Sequence, residues 1–201
     1  MLILASKSPT RKSLLDAVGI AFSVRTVPVD ERGIEARLAD AGTGKAEIAL
    51  ALAREKALAV SLTAPGALVI GADQTLQCGD LDLHKPDSRE TATRQLRALA
   101  GHTHHLHAAA ALARDGEILW EICESAEMTM RDFSDAELDI VLDLEGEAIL
   151  GSVGGYRLEG PSVRLFAHIR GDYFTVLGLP LLALLEGLRA HAPDLFVPRT
   201  A

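Results

Sequence analysis

The sequence of 201 residues predicts a mixed α/β (α+β) fold, in which strands and helices alternate along the chain. Ala67 to Ala72 is a continuous apolar run of the length expected for a strand that is covered on both faces. Lys45 to Leu62 is rich in alanine and has helical periodicity. The dipeptides Gly79-Asp80 and Asp115-Gly116 are typical of hairpin turns and predict antiparallel pairing within a mixed sheet.

The amino-terminal half of the chain begins with a strand and a capped helix. Leu2 to Ala5 is a short apolar run, as expected for a buried strand. Ser8 and Pro9 are typical of an N-cap and a first helical position, and Gly19 is expected to end the helix. The further elements predicted in this half are a strand at Phe22 to Val27, the helix at Lys45 to Leu62, the strand at Ala67 to Ala72, hairpin strands at Thr75 to Cys78 and Leu81 to His84, and a helix at Ser88 to Leu99.

The carboxy-terminal half is predicted to begin with a long hairpin, formed by His102 to Ala113 and Glu117 to Met130. Ser134 followed by Glu137 is a capping-box pattern and predicts the start of a helix. The remaining features are a glycine-rich stretch from Gly146 to Gly160, a strand at Val163 to Ile169 and a helix from about Pro180 to Ala190.

Acidic residues outnumber basic ones, 28 Asp and Glu against 20 Lys and Arg, which gives a formal net charge of −8. This excess argues against a binding face for a nucleic-acid polymer or an anionic membrane, because both need a basic field. Any anionic ligand must therefore be held by a few locally placed cations. Cys78 and Cys123 match no metal or redox spacing, no secretory signal begins the sequence, and the apolar segment Val176 to Leu188 is too short to span a bilayer. A cytoplasmic location is expected.

The first helix carries an unusual charge distribution. Arg11 and Lys12 lie in its first turn, where the positive end of the helix dipole disfavours cations by about 0.3–1 kcal/mol each. Free backbone N–H groups at this end, together with Ser6 and Ser8, would favour a bound anion such as phosphate. A solvated surface turn explains the same residues equally well, so both interpretations stay open.

Asp73 directly follows the apolar run Ala67 to Ala72 and is expected at the carboxyl end of a central strand, where ligands gather in open α/β sheets. An aspartate there can act as a general base or coordinate a metal ion. The alternative is an aspartate that only caps the next turn. Lys85, Glu31 and Lys56 are candidate partners, although each alone is typical of a solvated face.

Four histidines lie close together in the sequence, at His102, His104, His105 and His107. Side chains alternate between the two faces of a strand, so the four imidazoles cannot all converge on one ion. No nearby cysteine or acid completes a zinc site. We interpret these histidines as strand and turn residues rather than metal ligands.

The opening segment Leu2 to Arg11 resembles the amino-terminal signature of the Maf family. Seven further segments resemble the family, occur in its order and together span nearly the whole chain. They are Val29 to Glu31, Ala53 to Ala57, Ile70 to Gln74, Lys85-Pro86, Leu99 to His104, Gly154 to Gly160 and Gly171 to Pro180. No single segment is decisive, but their order makes the resemblance specific.

The resemblance implies a single domain over residues 1–201 with an inosine-triphosphatase-like fold, which has a curved mixed sheet, two lobes and a central cleft. It implies hydrolysis of a nucleoside triphosphate to the monophosphate and diphosphate with a divalent metal, Mg²⁺ or Mn²⁺. Asp73 matches the family's catalytic acid, which activates water and binds metal, and Glu31 matches an acid at the metal or water. The positions that match its phosphate contacts are Ser6, Arg11, Lys56 and Lys85. Relatives in the family are often dimeric, so a homodimer is expected.

Three residues bear on the choice of nucleobase. Thr10 stands where the subgroup associated with dTTP and UTP usually has a second arginine, and it differs from the residue typical of either subgroup. Gln74 and Glu159 are similar to the subgroup associated with 7-methyl-GTP rather than with dTTP and UTP. A carboxylate at Glu159 can accept hydrogen bonds from the N1–H and amine of guanine. The resemblance therefore implies that Gln74 and Glu159 bind the substrate and favour 7-methyl-GTP.

Two other functions remain open from the sequence. One is a nucleotide-binding regulator of cell division without significant turnover. The other is a small-molecule phosphatase, which would release orthophosphate instead of diphosphate. The presence of Asp73 and of all the matched cations favours the enzyme over the regulator.

Overall fold

A six-stranded mixed sheet forms the centre of the protein in a computed structural model, which describes residues 1–197. The strands are β1 (Leu2–Leu4), β2 (Ser23–Val24), β3 (Leu68–Gln77), β4 (Thr103–Arg114), β5 (Glu117–Met130) and β6 (Phe166–Arg170). Their order across the sheet is β2-β1-β3-β4-β5-β6. β1 is parallel to both neighbours and the other pairs are antiparallel, so the predicted mixed α/β fold class is confirmed.

Seven α-helices accompany the sheet within residues 1–197. They are α1 (Pro9–Ala17), α2 (Glu31–Asp40), α3 (Lys45–Ser61), α4 (Arg89–Leu99), α5 (Asp135–Glu145), α6 (Tyr173–Val176) and α7 (Leu181–His191). Short 3₁₀ segments occupy Gly146–Gly151, Val153–Gly155, Pro161–Leu165 and Pro193–Phe196. None of the helices in this part of the chain is long and apolar enough to cross a membrane.

The unequal lengths of β1 and β3 determine where a cavity can form. β1 pairs with β3 only as far as Leu4, which lies opposite Ile70. β3 continues to Gln77 and stays paired with β4 on its other side along this whole length. Beyond Ile70, one edge of β3 is therefore free of a neighbouring strand, and this edge faces the loop between β1 and α1.

The hairpin predicted around Gly79-Asp80 is wrong. Thr75 to Cys78 is no separate strand, because β3 runs without interruption from Leu68 to Gln77, and Leu81 to His84 is irregular. β4 already takes the edge of β3 that such a hairpin would need, up to the pair of Gln77 with His105. Asp73 accordingly lies in the middle of β3, not at its carboxyl end as predicted.

Three further differences concern elements without buried residues. Helix α2 was not predicted, and none of its residues is buried. The predicted strand Phe22 to Val27 is reduced to Ser23–Val24, both of which are exposed. The strand predicted at Val163 to Ile169 begins later, since its first residues belong to the 3₁₀ segment Pro161–Leu165.

Helix α3 packs unusually closely on the sheet because small residues meet at the contact. At Gly71 of β3, an added Cβ would lie 2.1 Å from the carbonyl oxygen of Ala53 and 2.6 Å from the amide nitrogen of Ala57. Fully buried alanines of α3 and β4 continue this contact. The close approach brings Lys56 of α3 within reach of β3.

The prediction of a single domain over residues 1–201 stays a prediction, and residues 198–201 lie outside the described part. The homodimer also stays a prediction. Within residues 1–197, one apolar cluster includes side chains of β1, α1, β3 and α7, and another includes α4, β5 and α5. Both clusters include residues of β3 and β4, so these two strands are shared by the packing of the whole sheet.

Candidate active site

A cleft of about 1520 Å³ opens beside β3, beyond the end of β1. Its walls include the segment from Ala5 to Arg11, the first turns of α2, the middle of β3 and the loop that carries Lys85. Seven Lys and Arg side chains and five Asp and Glu side chains line it, whereas the whole chain carries a charge of −8. This local excess of positive charge favours an anionic ligand.

Lys56 links two of the predicted carboxylates in this cleft. Its Nζ lies 2.6 Å from Oδ1 of Asp73 and 2.7 Å from Oε2 of Glu31. The side chains of Lys56 and Asp73 are only 14% and 12% exposed, whereas Glu31 is 53% exposed. Three elements distant in sequence, α3, β3 and the first residue of α2, thus converge on one ammonium group.

Alternation along β3 sends neighbouring side chains to opposite faces of the sheet. Asp73 faces α3, where Lys56 contacts it. Gln74 points the other way, and its Nε2 donates to the carbonyl oxygens of Thr175 and Val176 in α6 at 3.2 and 3.0 Å. Gln74 lines the cleft, but its amide nitrogen is occupied by the backbone of α6.

Arg11 is buried, with 9% of its surface exposed. Its Nε donates to the carbonyl oxygen of Gly178 at 2.7 Å, and its Nη1 donates to the carbonyl oxygen of Ala72 at 3.0 Å and to Oγ of Ser6 at 3.2 Å. Burial lowers the pKa of the guanidinium, and the negative charge of Asp73 opposes this shift. The interpretation of Arg11 as part of a solvated turn is therefore wrong, while anion binding stays a prediction.

Ser6 and Lys85 also line the cleft. Oγ of Ser6 accepts hydrogen bonds from the amide of Ser8 and from Arg11, so its own hydroxyl proton can be donated to a ligand. The pKa of the Lys85 amine is lowered because the cleft walls desolvate it and Arg11 repels its charge. Lys12, the other cation at the helix start, is exposed and does not line the cleft.

A side pocket of about 390 Å³ adjoins the cleft, and Glu159 lines both cavities. Most of the exposed surface of its walls is apolar, and its polar side chains are those of Thr10, Ser13, Tyr173 and Glu159. Its lining residues are Pro9, Thr10, Ser13, Leu14, Glu159, Tyr173 and Leu177. Apolar walls with a few polar groups are typical of sites that bind small organic molecules.

The carboxylates of Asp73 and Glu31 could hold a divalent metal ion only if water and a bound substrate supplied its remaining ligands. In the part of the chain from 1 to 197, no group of three or more His, Cys, Asp and Glu side chains could hold an ion by itself. Mg²⁺ usually binds through one or two carboxylates, with water and substrate phosphates completing its octahedron. Lys56 contacts one oxygen of each carboxylate, so the second oxygen of each is left to coordinate.

His104 and His107 are held by protein side chains. Nε2 of His104 lies 2.7 Å from the hydroxyl oxygen of Tyr156, and Nδ1 of His107 lies 2.7 Å from Oγ of Ser125. Burial lowers the pKa of His104 to about 4, with repulsion from His105 as a smaller cause. These contacts agree with the structural interpretation of the histidines.

One buried network near the cleft was missed in the sequence. Glu145, the last residue of α5, has a fully buried side chain that accepts hydrogen bonds from Arg157 and Ser162. A glutamate in the last turn of a helix carries no sequence signal that separates it from a solvated residue. Arg157 lies within a segment that resembles the Maf family, whereas its partner Glu145 lies outside all of these segments.

The mixed sheet and the cleft, with seven basic and five acidic side chains, define a class of α/β proteins suited to anionic ligands. The family model described as Maf-like protein matches residues 1–191, and the chain belongs to the Maf family. A protein named 7-methyl-GTP pyrophosphatase from Brucella abortus biovar 1 is 49% identical over 188 residues, which cover 94% of each chain. A protein named nucleoside triphosphate pyrophosphatase from Bradyrhizobium diazoefficiens is 52% identical over 190 residues, which cover 94% of this chain and 93% of the relative.

Proposed function

We propose that this protein is a nucleoside triphosphate pyrophosphatase, which hydrolyses a nucleoside triphosphate to the monophosphate and diphosphate. The observation that carries the proposal is the cluster of Asp73, Lys56 and Glu31 in a cleft with an excess of cations. The names of the relatives from Brucella and Bradyrhizobium, at 49% and 52% identity, support the same chemistry.

Asp73 serves as the general base in this proposal. Lys56 holds Oδ1, which orients the carboxylate, and a lone pair of Oδ2 that a metal ion would not use accepts a proton from water. The water oxygen bonds to the α-phosphorus, the bond from phosphorus to the bridging oxygen breaks, and diphosphate leaves with that electron pair. Arg11, Lys85 and Ser6 bind phosphate oxygens, where positive charge and donated hydrogen bonds stabilise the charge that develops on the leaving group.

Asp73 and Glu31 are the residues that would hold Mg²⁺ or Mn²⁺ together with the substrate phosphates. The bound ion would supply positive charge that neutralises the triphosphate. The ammonium group of Lys56 forms hydrogen bonds with the same two carboxylates, which keeps them together before a substrate binds. The acids of the cleft therefore need not repel a nucleotide despite their negative charge.

We further propose a preference for 7-methyl-GTP over pyrimidine nucleotides. Glu159 lines the apolar side pocket, where its carboxylate can accept from the N1–H and amine of a guanine ring. A base methylated at N7 is positively charged, so a carboxylate attracts it more than neutral guanine. Gln74 contributes indirectly, because its amide fixes α6 at the wall of the cleft.

A panel of nucleoside triphosphates incubated with the protein and Mg²⁺ or Mn²⁺ tests the proposed function. Diphosphate release with 7-methyl-GTP as the preferred substrate is the expected result. Orthophosphate as the first product would instead indicate a phosphatase. Binding without release of either product would contradict the enzyme and favour the nucleotide-binding regulator.

A further inference from the structure

The segment that carries Glu159 is fixed from behind by a buried carboxylate. The side chain of Glu145 has no exposed surface. Its Oε2 accepts from Nε of Arg157 at 2.8 Å, and its Oε1 accepts from the amide and the hydroxyl of Ser162 at 2.9 and 2.7 Å. The carboxylate thus contacts the chain on both sides of Glu159.

A tight turn separates the two contacts. The amide of Gly160 donates to the carbonyl oxygen of Arg157 at 3.3 Å, which leaves Glu159 inside the turn. A Cβ added at Gly160 would lie 2.5 Å from Oε1 of Glu145 and 2.9 Å from Nη2 of Arg157, so the backbone passes directly over the ion pair. The turn has little room to move while this pair is intact.

The network is strong enough to keep Glu145 charged inside the protein. Burial alone would raise its pKa, but the hydrogen bonds from Ser162 and Arg157 outweigh burial and hold the pKa below its ordinary value. Buried ion pairs are costly to break, because the remaining charge loses its partner in a poorly solvated site. Glu159 itself is exposed to the cleft and forms no hydrogen bond with residues 1–197 in this structure.

We propose that Glu145 is a positioning residue for nucleobase recognition. It holds the turn from Arg157 to Gly160 so that the carboxylate of Glu159 is presented to the cleft and the side pocket. This inference rests on the proposed function, since it concerns how that site selects its base. It adds a residue that touches no substrate and acts only through Glu159.

Glu145→Gln tests the proposal with the smallest change of shape. The amide oxygen can still accept from Ser162, but the amide nitrogen is a donor and cannot accept from Arg157. The KM for 7-methyl-GTP should rise about tenfold while kcat changes less than about threefold. Glu147→Gln is the matched control, because Glu147 is exposed two residues further on and should leave both constants unchanged.

A double-mutant cycle with Glu159→Gln separates positioning from a general structural effect. If Glu145 acts through Glu159, Glu145→Gln should reduce the preference for 7-methyl-GTP over GTP in the wild type but not in the Glu159→Gln background. The Kd values of α,β-methylene analogues of both nucleotides measure the same preference without turnover. Ser162→Ala removes only the hydroxyl contact and should shift the preference in the same direction by a smaller factor.

The possible outcomes distinguish the positioning role of Glu145 from the proposed function. An unchanged preference in a folded, active Glu145→Gln protein would overturn the positioning role. So would equal losses for both nucleotides in both backgrounds, accompanied by a lower thermal midpoint. A wild-type protein that binds the analogues but releases no diphosphate from 7-methyl-GTP or GTP themselves would overturn the proposed function, while the Kd cycle would still decide the role of Glu145. Absence of binding to either analogue would overturn both.

Discussion

Lys56 holds two acids of the cleft together. It contacts Asp73 and Glu31 at 2.6 and 2.7 Å, and these two acids approach from different elements. Without the ammonium group, the negative charges of the two carboxylates would repel each other with no cation between them. The same contact leaves one oxygen of each acid available, so the lysine organises the site without blocking it.

Asp73→Asn should remove turnover and retain the fold. Asparagine has the same shape and keeps an oxygen for Lys56, but its amide cannot take a proton from water. We expect kcat for diphosphate release to fall at least about 100-fold, as is typical when a general base is lost. Asp80→Asn, an exposed aspartate just beyond β3, is the control and should keep wild-type kinetics. Activity of Asp73→Asn within threefold of wild type would contradict the assignment.

Lys85→Ala should weaken the binding of the triphosphate. Lys85 lies in the cleft with a lowered pKa, caused first by desolvation and then by repulsion from Arg11. Removal of its charge should reduce kcat/KM about tenfold at neutral pH, as expected for one charge-assisted contact. As the pH is raised, the KM of the wild type should begin to increase before about pH 10, where an ordinary lysine loses its proton, because deprotonation of Lys85 removes the same charge.

Exposed Lys12→Ala is the matched control for Lys85→Ala, since Lys12 does not line the cleft. Steady-state kinetics from pH 7 upward would compare the two variants with the wild type. An unchanged kcat/KM in Lys85→Ala would remove this residue from the site. A rise of KM with pH that persists in Lys85→Ala would assign the titration to another group.

Among the elements, the contact of α3 with β3 positions the site most directly. The absence of a side chain at Gly71 lets the helix backbone approach the strand, and Lys56 is carried to Asp73 by that approach. The low aromatic content of the chain, 4%, agrees with a core in which alanine surfaces pack closely instead of large rings filling space.

Gly71→Ala should therefore destabilise the fold and disturb the site together. Its Cβ would meet backbone atoms of α3 at 2.1 and 2.6 Å, which cannot move independently of the helix. We expect a loss of about 2 kcal/mol or more in the free energy of unfolding, together with reduced kcat, because Lys56 moves with α3. Gly44→Ala is the control, as an added Cβ there has no atom within 4 Å and the loss of an N-cap glycine costs about 1 kcal/mol at most.

Urea unfolding of both variants measures the difference. A Gly71→Ala protein as stable as Gly44→Ala would show that α3 can shift without cost. Normal kcat in a destabilised Gly71→Ala protein would show that the contact of Lys56 with Asp73 does not depend on this packing.

The elements that could be predicted from the sequence are those with a buried stripe or a strong cap. The α3 region has buried residues at helical spacing, and Ser134 with Glu137 forms the capping box that was predicted. Helix α2 buries nothing, so hydrophobic periodicity could not reveal it. The chain does turn at Gly79-Asp80, but it forms no hairpin there, because β3 pairs with β4 instead of with the segment that follows the turn.

The site was predictable as a set of residues but not as a geometry. The resemblance placed Asp73, Lys56 and Glu31 together, and the structure brings these three into contact. It could not show that Arg11 is buried against backbone carbonyls, because the partner Gly178 is distant in sequence. The support that Glu145 gives was invisible for the same reason, since it depends on a loop that returns to the end of α5.

Over the whole molecule, acidification should reduce stability through buried titratable groups, chiefly His104, rather than through net charge. Partial neutralisation of the charge of −8 would weaken repulsion and favour the fold. The pKa of His104, about 4 because of burial, acts in the opposite direction. His104 takes up a proton near pH 6.5 in the unfolded chain but only near pH 4 in the folded protein. Its contribution to the free energy of unfolding is therefore complete above pH 6.5, and about 3 kcal/mol of stability is lost between pH 6.5 and pH 4.

Glu145 extends this loss to lower pH. Its folded pKa lies below the ordinary value, so its contribution is present above that value and disappears as the pH falls through the folded pKa. Through His104, the free energy of unfolding in urea should fall as the pH is lowered from 7.5 to 4.5, and His104→Gln should flatten the curve even if it lowers stability at pH 7.5. His102→Gln removes an exposed imidazole and should keep the wild-type slope. Equal slopes in all three proteins would show that repulsion or other acids, and not the buried histidine that contacts Tyr156, govern the response to acid.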